Sequence, residues 1–199
     1  MKRALIGILL SSFILFGCAQ TDAHEVEVEG DVKIETQEEL IEEEDPYVHV
    51  PIIGKKIPQF DNLEGSDGNF YNLSDFEGKP MLLMFETVEC HFCEKERPSI
   101  IKLEEKYGVG TEDSELHIVT ISVSETMEEI MPHVIRHNIN HVWLSEGEQF
   151  VSITYLAYGT PDHFFVDQDG VLRAHRKGYL TYEQLETHIQ NLFRYNTHN

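Results

Sequence analysis

The sequence predicts an α/β fold: a mixed central sheet flanked by helices, preceded by an N-terminal β-hairpin. Three observations predict it. Two runs of strand length, MLLMFETV (residues 81–88) and LHIVTISVS (116–124), are apolar almost without interruption, as strands buried on both faces are. Amphipathic stretches of helical spacing alternate with them. Near the end, HFFVD and VLRAHRKG flank Gln168-Asp169-Gly170, the turn signal of a β-hairpin.

The elements follow in order. In GKKIPQFDNLEGSDGNFYNLSDFEGKP, Ser66-Asp67-Gly68-Asn69 is a turn, so residues 60–63 and 69–72 suggest a small hairpin. Residues 81–88 are the first buried strand. A helix spans 93–107, with Ile100, Ile101, Leu103 and Tyr107 at helical spacing; Pro98 inside it should kink it or remove one of its hydrogen bonds. Residues 116–124 are a second buried strand. A helix over 126–138 turns Ile130, Val134 and Ile135 to one side. HVWLS (141–145) is a short strand and 148–158 a helix. After Gly159-Thr160-Pro161 comes the hairpin, then a closing helix over 181–195 with Thr181 as N-cap and Ile189, Leu192 and Phe193 facing inward. The order βαβαβαββα gives parallel strands joined by crossovers and an antiparallel closing pair.

The chain divides into three segments. In 1–17, Lys2 and Arg3 precede a 13-residue uncharged run, Ala4 to Phe16. A stable bilayer crossing needs about 20 apolar residues, so the run has the form of an export signal. It closes on Leu15-Phe16-Gly17-Cys18, which resembles the bacterial lipobox, in which the cysteine is lipidated; the alternative is an ordinary cleaved signal. Segment 18–47 is the lipidated cysteine and a tether: between residues 19 and 45 there are 12 acidic residues and one basic residue, Lys33. Such a stretch buries too little apolar surface to offset its ordering entropy; an acidic docking arm is the other reading. Residues 48–199 are one folded domain. Loss of Lys2 and Arg3 takes the net charge from −21 to −23, which excludes nucleic-acid binding through cationic contacts to phosphate and lying flat on an anionic membrane. Export places the domain where disulfides persist, and removing Cys18 to lipid leaves one pair, Cys90 and Cys93, in TVECHFCEKERP. One bridge over so short a loop stabilises little, so the fold depends on its own core.

A strand, then Cys90-x-x-Cys93 opening a helix, then Gly159-Thr160-Pro161 before a strand and an Asp-Gly hairpin: this resembles the thioredoxin-like fold. More narrowly, residues 50 to 195 resemble the membrane-tethered TlpA/ResA-like thiol-disulfide oxidoreductases of bacteria, through LSDFEGKP, CEKERP and GTPDHFFVDQDG. The resemblance implies a redox-active disulfide between Cys90 and Cys93 and no other cofactor. It implies a cis Pro161 facing the pair, with Thr160 pairing an extended substrate strand, and Glu96 exchanging a proton with Cys93. Its partners would be exported protein thiols and disulfides, apocytochrome c among them, and a membrane electron donor or acceptor, with the protein a monomer held on the outer face of the cytoplasmic membrane. Three positions depart from the family pattern. Glu89 and Glu86 stand where aromatic residues are usual, and Met84 stands where thioredoxins bury an acid.

The spacing has its own chemistry. Two residues between cysteines on the first turn of a helix bring the sulfurs within bonding reach. The helix N-terminus points free N–H groups at the first of them, favouring the reactive thiolate. Cys90 is therefore the nucleophile and Cys93 the resolving thiol. His91 adds positive charge if protonated, and with Phe92 stands at the substrate-facing start of the helix. Glu89 opposes the thiolate. A solvated surface is the expectation for Glu86 and Glu89, an ordinary strand position for His163, and the core for Trp143.

Three rivals remain. Thr87-x-x-Cys90 is half of the peroxiredoxin motif, but Leu83 stands where its proline is expected. Cys90 and Cys93 with His91 or His163 could hold copper or zinc in a metallochaperone, although a structural zinc site usually needs four ligands and the 11 histidines look scattered, without ligand spacing. A static disulfide is the third. CHFCE lacks the histidine of a covalent haem site.

Overall fold

The computed structural model describes residues 50–148 and 150–195. The signal, Cys18 and the acidic tether lie outside the described residues. Among these, no helix is long and apolar enough to cross a membrane.

Strands β1 (Leu63–Gly65) and β2 (Phe70–Tyr71) form the N-terminal hairpin, Leu63 opposite Tyr71. Its first strand sits two to three residues later than the pattern suggested, and its second lies within the expected 69–72. Gly68 takes φ 85° in its turn, where the Asp67 carboxylate accepts from the Asn69 N–H and the Tyr71 hydroxyl. A 3₁₀ turn, Leu73–Phe76, leads to β3 (Met81–Glu86), whose six residues are all buried. Helix α1 (His91–Tyr107), β4 (His117–Ser122), α2 (Met127–His137), β5 (Val142–Ser145), α3 (Val151–Thr154), β6 (Asp162–Val166), β7 (Leu172–Lys177) and α4 (Tyr182–Tyr195) follow.

One seven-stranded sheet has the order β2-β1-β5-β4-β3-β6-β7. Strands β3, β4 and β5 run parallel, and β1, β6 and β7 join antiparallel. Residues in register share a face, which divides the core. Leu82 and Met84 of β3, with Ile118, Phe165, Ile100, Leu103, Leu185 and Ile189, pack under α1 and α4; Trp143 packs with Ile130 and Val134 of α2 on that side. The opposite face, through Met81, Leu83, Phe85 and Ile121, is covered by Ile57, Phe60, the 3₁₀ turn and α3.

Two expectations need correction, and a third resolves between its alternatives. Ile135 is 71% exposed rather than inward: Ile130 and Val134 fill the groove over Trp143, and one residue beyond Val134 the helix has turned to solvent. The helix expected over 148–158 is a single turn, because Phe150 (φ 51°) and Leu156 (φ 55°) take left-handed backbone on either side of it. Pro98 sits on the exposed face of α1, and the helix continues through it for 17 residues. Pro98 removes one donor on the solvent side, leaving the buried stripe intact.

Candidate active site

The C-terminal end of β3 delivers the chain to α1. Cys90 is the N-cap of that helix, and its sulfur accepts the Cys93 N–H at 3.1 Å. The two cysteines form a disulfide, with Cα atoms 5.2 Å apart. Cys90 is 8% exposed and Cys93 2%, so Cys90 is the sulfur an incoming group meets first. Around it Glu89, His91 and Phe92 are exposed, and the His91 and Phe92 rings meet edge to face.

The Thr160-Pro161 peptide is cis. Asp162 registers with Phe85, so Pro161 falls beside Glu86, at the end of the sheet from which the chain enters the Cys90 turn. The two sequence-distant halves of the expected site thus meet on neighbouring strands. Thr160 is half-buried and Pro161 buried.

Beneath the pair lies a polar layer. Glu96, one helical turn after Cys93 and on the same face, is buried; a solvated setting for it does not hold. Its Oε1 lies 2.5 Å from His163 Nε2, and its Oε2 accepts the Leu180 N–H at 2.5 Å. His163 Nδ1 lies 3.2 Å from the Arg176 carbonyl, which can only accept, so Nδ1 carries a hydrogen. One proton is therefore shared between His163 Nε2 and Glu96 Oε1: either the acid donates to a neutral ring or a carboxylate faces an imidazolium. His163 thus belongs to the site rather than being an ordinary strand residue. Its signal is its parity on β6, two residues past Pro161 and opposite Met84, which is legible only once the strand register is known.

Glu86 corrects a second expectation. It is buried, not solvated, because it ends a strand covered on both faces and turns toward Arg97 of α1 at 3.7 Å. That distance exceeds hydrogen-bond length, and Glu86 Oε2 and Arg97 Nε and Nη2 have no hydrogen-bond partner. Burial, the largest influence, pushes the Glu86 carboxyl above its usual range, and the Arg97 charge opposes this. Arg97 also lies over the Trp143 ring at 5.8 Å, and Trp143 is core as expected.

The rival site residues fare differently. Leu83, where a peroxiredoxin proline would stand, is buried inside β3, paired with Val119 and Phe164. A proline there would remove a ladder hydrogen bond. His163 has both ring nitrogens engaged and cannot turn to a metal at the cysteines. The histidines are not all without ligand spacing: His133 and His137 lie four apart on α2.

A mixed sheet with a helix-capping cysteine pair beside a cis-proline strand defines a thioredoxin-fold protein with a redox-type disulfide. The AhpC/TSA family profile matches residues 53–175, and the chain belongs to that family. It is 31% identical over 141 residues to the thiol-disulfide oxidoreductase ResA of Bacillus thuringiensis subsp. konkukian, across 70% of this chain and 78% of that protein. It is 28% identical over 127 residues to the thiol:disulfide interchange protein DsbE of Pseudomonas fluorescens, across 61% of this chain and 65% of that one. The crystal structure of StoA from Bacillus subtilis shares the fold at TM-score 0.55 and 16% identity, covering 69% of this chain and 98% of that one. A thioredoxin domain of a Bacteroides vulgatus thiol-disulfide oxidoreductase superposes at TM-score 0.58 and 20% identity, covering 72% and 97%. The chain is a thiol-disulfide oxidoreductase of the ResA and DsbE kind, and Cys90 and Cys93 supply its C-x-x-C pair.

Proposed function

We propose that the domain exchanges disulfides with exported proteins outside the cytoplasm, tethered through a lipid on Cys18, and that unfolded apocytochrome c awaiting haem is among its substrates. The observation that carries the exchange is the Cys90 sulfur at the N-cap of α1, accepting the Cys93 N–H and more open than Cys93. The export signal, the lipobox-like Cys18 and the acidic tether support the location. The names of the ResA and DsbE relatives support the substrate class.

In the reducing direction the Cys90 thiolate attacks one sulfur of a partner disulfide, and the partner's other sulfur leaves as thiolate. Cys93, losing its proton, attacks the Cys90 sulfur. The mixed disulfide breaks, the partner leaves with two thiols, and Cys90–Cys93 is oxidised. The oxidising direction runs the same bonds backwards. Glu96 and His163 serve as the reservoir for the Cys93 proton. Thr160, His91 and Phe92 form the docking rim, the Thr160 backbone pairing with an extended partner segment. Electrons pass through sulfur alone, so the reaction as written calls on no further cofactor, and a membrane thiol-disulfide carrier resets the pair.

The test is capture in the native host. A Cys93→Ala variant should accumulate partners joined to Cys90 by a reducible bond, and exported proteins should dominate among them. Adducts that persist in a Cys90→Ala/Cys93→Ala variant, or none at all, would refute the exchange.

A further inference from the structure

We propose that Glu94, His133 and His137 form a binding site for a divalent transition-metal ion, zinc foremost, between the first turn of α1 and the last turns of α2. The cysteines take no part, since their sulfurs are bonded to each other.

The geometry brings three ligand-competent groups to one point. A donor atom from each lies within 4.8 Å of the other two. His133 and His137, four residues apart, share a face of α2, with ring centroids 4.4 Å apart. His137 Nε2 stands 3.4 Å from Glu94 Oε1, already the ligand-to-ligand separation of a tetrahedral ion with bonds of about 2.0–2.1 Å.

The second observation is independent of the clustering. His133 is 4% exposed, and its Nε2 has no hydrogen-bond partner; neither has Nε2 of His137. Buried polar atoms are nearly always satisfied, and an orphaned imidazole nitrogen on a side chain grouped with another histidine and a carboxylate fits a site that an ion completes. Arg97 and Arg136 are the nearby cations that would oppose a metal, and Glu86 faces Arg97 at 3.7 Å. Two imidazoles and a carboxylate are a zinc donor set that leaves a fourth position for water; copper(II) and nickel(II) accept the same ligands. Glu94 directly follows Cys93, so a bound ion would clamp the helix carrying the redox pair to α2. The plainer account is an interhelical His137–Glu94 ion pair with His133 stacked on Trp143, which would leave the protein indifferent to zinc.

The experiment titrates zinc chloride, by calorimetry, into full-length, tag-free, oxidised protein stripped with a chelator. Wild type should bind one equivalent in a phase that is weakened at least about tenfold by His137→Ala and by Glu94→Gln. Losing a direct ligand costs no less than losing a group that merely orients one. Zinc should raise the Tm of wild type and, at the same zinc concentration, raise that of His137→Ala less. Both substitutions fall on exposed or half-buried side chains; His137→Gln, closer in size, serves if the alanine variant fails to fold. Absence of saturable binding, or a one-equivalent phase unchanged in these variants, would overturn the site.

Discussion

At the scale of residues, the proposed proton reservoir turns on Glu96. It is buried beneath the pair, holds the Leu180 N–H and shares a proton with His163. Glu96→Gln keeps the size and the acceptor for Leu180 but cannot take up or release a proton. Resolution of a mixed disulfide by Cys93 should slow by about a hundredfold, within the usual range for a positioned acid-base group, and its pH dependence should flatten. Stopped-flow release of a Cys90-linked peptide measures both. An unchanged rate would make Glu96 a structural residue only. The sequence marked Glu96 through its position after the pair. It could not mark His163, because a histidine in HFFVD reads as an ordinary strand residue until the register of β6 against β3 places it opposite Met84.

At the scale of elements, the junction of β3 and α1 carries an uncommon charge pair. Glu86 and Arg97 are buried, separated by 3.7 Å and poorly hydrogen-bonded. Removing one partner strands the other charge, so Glu86→Leu and Arg97→Leu should each destabilise the domain by about 3 kcal/mol. The double variant should be less destabilised than the sum, and chemical denaturation of the four proteins gives the coupling directly. Additive losses would show that the pair does not interact. Periodicity exposed the helices and strands well because their stripes are long. It misjudged Ile135, since a three-residue apolar set on an 11-residue helix does not fix the edge of the buried stripe. It also overextended α3, since no residue type announces left-handed backbone at Phe150 and Leu156. Glu86 was expected in solvent for a related reason: an acid at the end of an apolar run reads as the return to solvent, and only the packing of α1 shows that it stays inside.

For the whole molecule, the sheet acts as the frame that joins distant segments. The thioredoxin-like order of elements was legible because β3 and β4 are apolar runs and the two hairpin turns carry aspartate and glycine. Which helix covers which face was not, since that depends on register. A second polar link ties α1 to the start of β5. Glu104 accepts from the Asn140 and His141 backbone N–H groups and lies 2.5 Å from His141 Nδ1. Burial works to raise its carboxyl, but the His141 contacts and the N–H donors outweigh it, and the net shift is below the usual 4.5. A carboxyl depressed in the folded state contributes its stability fully above 4.5, and that contribution is lost as pH falls through the lower folded value. Glu104→Gln should therefore cost about 3 kcal/mol at pH 7 and flatten the acid limb of the stability curve below the carboxylate range. Thermal melts from pH 7 to pH 2 would show it, and parallel curves for wild type and variant would contradict it.

The central claim is that Cys90 and Cys93 join and part reversibly in the folded protein. Equilibrium titration of the purified chain in dithiol-disulfide buffers of graded potential tests it most directly. The account predicts one reversible two-electron transition between about −270 and −120 mV, the range spanned by proteins of this fold, and its abolition in Cys93→Ala. A native disulfide that stays closed in excess dithiothreitol, opening only when the protein is denatured, would contradict it.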